Sequence, residues 1–161
     1  MSRGRRMNTV VVTGLGMVTP FGLGIDILWE RLLKGHHAFR PITGLAPKPL
    51  VGAPIDMSLE TLLDSRILRQ TDRFVHLGLI AAEAALSAAG NPHRTVPSDR
   101  MGVVLGNAVG GLGTFRDGTR TLADGGRLSP FFVPAFIPNM AAARIAMAFQ
   151  IHGLNLTVST A

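Results

Sequence analysis

The sequence predicts an α/β fold, and three observations carry that expectation. Val10-Val11-Val12 is an unbroken β-branched run ending at Thr13-Gly14, the pattern of a strand covered on both faces. Met101-Gly102-Val103-Val104-Leu105 reads as a second buried strand, and Leu154, Leu156 and Val158 alternate with polar residues as a third. Between these runs lie longer apolar segments with helical period, and strands alternating with helices imply helices layered on a sheet.

Each element has its own warrant. Residues 26–34 form a helix with Asp26 in the first turn, Ile27, Leu28, Leu32 and Leu33 on one face, and Gly35 as the stop. Residues 36–57 hold four prolines and read as loop, with a short strand near Leu50-Val51-Gly52. Residues 72–89 are the strongest helix: Thr71 caps it, Asp72 favours its positive end, and Gly90-Asn91-Pro92 ends it. That helix is apolar nearly all round, which predicts burial on most sides, and its alanines permit close neighbours. A glycine-rich turn follows the second strand and leads into a helix reaching about Leu122. Residues 138–149 form another apolar helix, with Pro138 tolerated in its first turn. The sequence stops directly after the last strand, so further residues are expected to cover it.

Composition limits the function. A chain of 161 residues is the size of one domain, and 47% hydrophobic with 16% charged residues argues for a packed interior. There is no cysteine, which excludes disulfides and thiolate metal sites and fits a reducing compartment. The net charge of +6 owes three cations to Arg3, Arg5 and Arg6 alone. With no Tyr, one Trp and no interleaving of aromatics with cations, nucleic acid is not the expected partner. A local acidic protein partner is the better use of this charge. No apolar run approaches the roughly 18 residues of a membrane helix, so a cytoplasmic protein without membrane contact is expected. Residues 1–7 are expected to be a disordered extension and residues 8–161 a single domain.

The residues alone supply no complete catalytic constellation. Val11-Val12-Thr13-Gly14-Leu15-Gly16 lacks the third glycine and the acidic residue of a dinucleotide site. His36, His37, His76, His93 and His152 have no ligand spacing, and no nucleophile elbow occurs. The run Gly106-Asn107-Ala108-Val109-Gly110-Gly111-Leu112-Gly113 lacks the lysine of a phosphate loop. Its glycines instead allow a backbone to approach closely. No metal, cofactor or catalytic side chain is expected within this sequence.

Taken in order, six blocks resemble one family. VVVTGLGMVTPFG at 10–22 is similar to the opening signature of the β-ketoacyl synthases, and RQTDRF at 69–74 and GVVLGNAVGGLG at 102–113 follow in the family's order. SPFFVP at 129–134, IPNM at 137–140 and VSTA at 158–161 complete the series, with the greatest likeness to the synthase II type. The resemblance implies a thiolase-like layered fold, N-terminal half only, with a mixed sheet and buried helices. It implies ping-pong chemistry in which a cysteine at a buried helix N-terminus takes the acyl chain, a position that lowers a thiol pKa. Two histidines then promote decarboxylation of malonyl carrier protein. All three family catalytic residues would fall beyond Ala161, so the 161-residue chain is expected to be inactive by itself.

By position, the resemblance places Val109 in the acyl pocket, Phe132 and Ile137 in the partner subunit's pocket across a dimer interface, and Ala161 beside the nucleophile. Arg66 and Arg69 match basic positions that meet the acidic helix of an acyl carrier protein, while Gln70 stands where a further cation is common. The implied partners are acyl carrier protein and a homodimer or synthase heterodimer. Three readings stay open: part of an active acyltransferase, a non-catalytic subunit like a chain-length factor, and a half that serves only for interaction.

Overall fold

The computed structural model describes residues 9–44 and 47–160. Two antiparallel ribbons and one parallel strand pair accompany the helices. β1 (Val18–Thr19) pairs antiparallel with β2 (Gly22–Leu23), and α1 (Ile25–Leu33) follows. β3 (Arg40–Ile42) pairs antiparallel with β4 (Leu50–Gly52). α2 (Ser65–Gln70) leads into α3 (Arg73–Ala88), and two short 3-10 turns lead on to β5 (Val103–Gly106). α4 (Leu112–Ala123), α5 (Phe132–Phe136), α6 (Met140–Ala148) and β6 (Asn155–Val158) complete the order.

The core lies between α3, α6 and the β5–β6 pair. Val75 and Leu79 of α3 meet Ala141, Ala142 and Ile145 of α6, with Val103 and Ile151 closing the cluster. Small residues on α6 bring the two helices close, as the alanine content of both segments leads one to expect. β5 and β6 are parallel, with Val103 opposite Asn155 and Leu105 opposite Thr157. This inner face packs on α6, where the Asn155 side-chain amide donates to the Ala142 carbonyl at 3.1 Å. The outer face carries Val104 opposite Leu156 and Gly106 opposite Val158.

Several sequence expectations are corrected here. Val10, Val11 and Val12 are not a paired, doubly covered strand: they are 93%, 69% and 78% exposed and join no sheet among the described residues. What anchors this segment is steric. A Cβ on Gly14 would run into the Ala85 carbonyl and lie 2.6 Å from the Ala89 nitrogen, and one on Gly16 would meet the Ala81 carbonyl. Only glycine lets the chain lie this close to α3. The second strand is buried on one face only, since Val103 is inside and Val104 is 65% exposed. α1 carries the expected apolar residues, and none of its residues is buried. Asp72, not Thr71, caps α3 by accepting from the Phe74 N–H, and the Thr71 hydroxyl donates back to Ile67 at the end of α2. Pro138 precedes α6 and its cap Asn139 rather than opening its first turn. Among the described residues the sheet is divided into three two-stranded pieces. The expected extension at 1–7 lies outside the described residues.

Candidate functional site: a glycine-rich turn beside an arginine-lined cleft

The turn after β5 is fixed by hydrogen bonds at both ends. The Asn107 N–H donates to Val158 at 3.0 Å, continuing the parallel ladder past the end of β5. Its side-chain amide donates to the Pro138 carbonyl at 3.0 Å, and its side-chain oxygen accepts from the Gly110 N–H at 3.2 Å. The Gly111 N–H donates to the Phe136 carbonyl at 2.9 Å. Gly110 has φ of 84°, and a Cβ there would strike the Phe136 carbonyl, so the position excludes other residues twice over. The turn is thereby pinned against the link between α5 and α6.

Asp72 holds the other side. Besides capping α3, its carboxylate accepts from the Thr114 N–H at 3.0 Å and the Thr114 hydroxyl at 2.6 Å. One side chain thus joins the starts of α3 and α4, which explains why a carboxylate stands at this position. Hydrogen bonds to an ionised acceptor are among the stronger ones.

The predicted site residues sit around this frame. Val109, in the turn, is 58% exposed. Phe132 stacks on Phe115 at a centroid distance of 6.5 Å and meets Phe136 in a tilted arrangement at 5.1 Å. It lines a cavity of about 300 Å³ with Arg69, Thr114, Arg127 and Phe131. Ile137 follows α5 directly, half-buried, on the stretch that the glycine-rich turn abuts. Ala161 lies outside the described residues. The structure therefore brings the turn of Val109 to the α5–α6 link that holds Ile137, whereas Phe132 faces the cavity on the Arg69 side.

Arg66 and Arg69 both belong to α2, three residues apart, so they share one face. Asp64 caps this short helix, accepting from the Arg66 N–H at 2.6 Å. Both arginines line a cleft of about 530 Å³, together with Asp64, Gln70 and Arg144 of α6. Arg144 was not singled out from the sequence. The available signal was a lone cation inside the otherwise apolar stretch of α6, MAAARIAMA. His76, named from the sequence without ligand spacing, is buried on α3 with no partner for Nε2. Burial holds its imidazole below the usual histidine range, against the smaller opposing pull of the Ile67 backbone and then of Asp72. Among the described residues there is no cluster of His, Asp or Glu that could hold a metal ion, and no helix is long and apolar enough to cross a membrane.

Residues 7–161 match the family described as beta-ketoacyl synthase, N-terminal domain. The chain belongs to the β-ketoacyl synthases. Its sequence is 34% identical over 167 residues to the 3-oxoacyl-[acyl-carrier-protein] synthase 2 of Staphylococcus aureus (strain COL), covering 100% of this chain and 40% of that protein. The solved β-ketoacyl synthase from Burkholderia phymatum STM815 superposes with a TM-score of 0.76 at 24% identity, over 96% of this chain and 40% of the other. A type II PKS acyl-carrier protein in complex with its ketosynthase bound to the hexaketide (AntDE:AntF) gives 0.71 at 22% identity, over 88% and 40%. The fold is thus the N-terminal half of the thiolase-like ketosynthase fold, as the sequence resemblance implied. This synthase domain spans about two-fifths of the length of the relatives it matches.

Proposed function

We propose that this domain is the N-terminal portion of a condensing enzyme that joins an acyl thioester to malonyl carrier protein, in fatty acid or polyketide synthesis. The observation that carries the reading is the family match across residues 7–161, with 34% identity to a 3-oxoacyl-[acyl-carrier-protein] synthase. In the proposed reaction an enzyme thiolate first displaces the carrier thiol and holds the acyl chain as a thioester. Loss of CO₂ from the malonyl thioester leaves a carbanion, which attacks the acyl carbonyl and expels the thiolate. Splitting the condensation this way replaces one difficult step by two easier ones.

This chain contains no cysteine and cannot form that thioester, so its proposed contribution is pocket wall and docking surface. Val109 would border the acyl chain. Phe132 and Ile137 would line the pocket of a second subunit in a homodimer or synthase heterodimer, and Ala161 would lie next to the nucleophile. Arg66 and Arg69 would meet an acidic acyl carrier protein in the cytoplasm. Their shared face and open cleft support that role, because exposed cations of one sign steer an acidic partner.

The test is expression of the whole reading frame that contains this chain, with acyl-loaded and malonyl-loaded carrier protein. The expected result is CO₂ release matched by β-ketoacyl product, abolished when the first cysteine after Ala161 is replaced by alanine. Product formed only after a separate ketosynthase is added would select the chain-length-factor reading instead. Absence of both CO₂ release and β-ketoacyl product, with and without the added ketosynthase, would refute the proposal.

A further inference from the structure

α6 is apolar along its length except for Arg144, and that side chain turns into the cleft beside α2. Its Nε is buried and has no hydrogen-bond partner. An arginine N–H without an acceptor is costly, because desolvation is not repaid by a bond. Arg66 and Arg69 line the same cleft, and none of the three forms an ion pair with a carboxylate among the described residues. Asp64, the cleft's acid, already accepts from the Arg66 N–H. Three arginines against one engaged carboxylate make a strongly positive recess.

Gln70 lines this recess too, an uncharged residue at the position where the family resemblance leads one to expect a further cation. We infer that Arg144 supplies that missing charge from a different helix, and that the recess receives a carboxylate side chain of the acidic carrier protein. The inference rests on the carrier-docking reading of Arg66 and Arg69 and adds to it a residue and a geometry. Charge complementarity selects the occupant: an acidic helix presents several carboxylates, and a planar guanidinium binds a carboxylate in a fixed orientation. Arg144 is a positioning and binding residue, remote from the reacting atoms.

The experiment measures the Kd of a type II acyl carrier protein for the full-length protein that contains this chain, at low and at high salt. Arg144→Gln should weaken binding about tenfold at low ionic strength and much less at 0.5 M salt, as expected for a charge contact. Arg144→Lys should recover most of the loss, and Gln70→Lys added to Arg144→Gln should recover it from the other helix. If Arg144→Gln leaves Kd unchanged while Arg66→Glu with Arg69→Glu weakens it, the inference is overturned and the docking reading survives. If the double reversal also has no effect, the docking reading itself fails. A loss that is equal at both salt concentrations and tracks a lowered Tm would make Arg144 a packing residue. Inorganic phosphate that raises the Tm of wild type and not of Arg144→Gln, with carrier Kd unaltered between them, would instead assign a small-anion pocket and overturn the inference.

Discussion

His76 sits on α3 next to the cap that Asp72 provides, and it lines a recess with Glu60 and Arg73. Burial is the largest influence on it and favours the neutral ring, so its folded-state pKa lies below the ordinary 6.5. The unfolded chain takes up this proton as pH falls through about 6.5, while the folded chain resists until lower pH. Stability is therefore lost as pH drops from the unfolded value toward the depressed folded one, and is independent of His76 above that window. His76→Gln in the full-length protein should flatten the fall of Tm between pH 7 and 5. Parallel curves for the two proteins would clear His76 of that role. Val109 makes a second prediction at the same scale. Ala108 and Gly110 flank it, so its side chain is the bulkiest apolar group of the turn between Gly106 and Gly111, and on the proposed pocket role Val109→Phe in the full-length protein should hinder long acyl donors more than acetyl. The expected differential is on the order of 1–3 kcal/mol in single-turnover acylation, and equal slowing of both donors would return Val109 to an ordinary packing role.

The packing of α4 on α5 turns on one glycine. Gly118 is buried inside α4, where glycine is about 1 kcal/mol worse than alanine. A Cβ there would enter the Phe132 ring, 2.7 Å from Cδ2 and 2.9 Å from Cζ. Gly118→Ala should therefore lower stability by about 1–3 kcal/mol despite its better helix propensity, and Phe132→Leu in the same protein should restore part of the loss. A higher Tm for Gly118→Ala alone would contradict this packing. Elements of this length show what the sequence reveals and what it hides. The long helices were legible because two or more turns of apolar period and a stop residue agree, as in 72–89 against the observed Arg73–Ala88. α2 and α5, of 6 and 5 residues, are too short to show a period and exist by tertiary contact. Of the two antiparallel ribbons, β4 falls on the short strand expected near Leu50-Val51-Gly52, whereas β1 and β2, of 2 residues each, and β3, of 3, lie in glycine-rich or proline-rich stretches too short to show a period. The site divides the same way: family blocks marked Val109, Phe132 and Arg69, whereas Arg144 joins the α2 arginines only once α6 is folded beside them.

At the scale of the molecule, a contiguous apolar face lies uncovered on the outer side of β5 and β6, where Val104 lies opposite Leu156 and both are exposed, at 65% and 46%. Val158 and Leu154 extend that face, at 45% and 66% exposed. A two-stranded parallel sheet with one bare apolar face has unpaired edges as well as uncovered side chains, and both promote association. The isolated 161-residue chain should therefore sediment as oligomers or aggregates and bind a hydrophobic dye. Replacing Val104 and Leu156 together by lysine should reduce the association while far-UV circular dichroism keeps its helical signal, because neither side chain faces α6. A monodisperse wild-type chain that sediments as a monomer and melts in one cooperative calorimetric transition would mean that this face tolerates water by itself, and the prediction would fall.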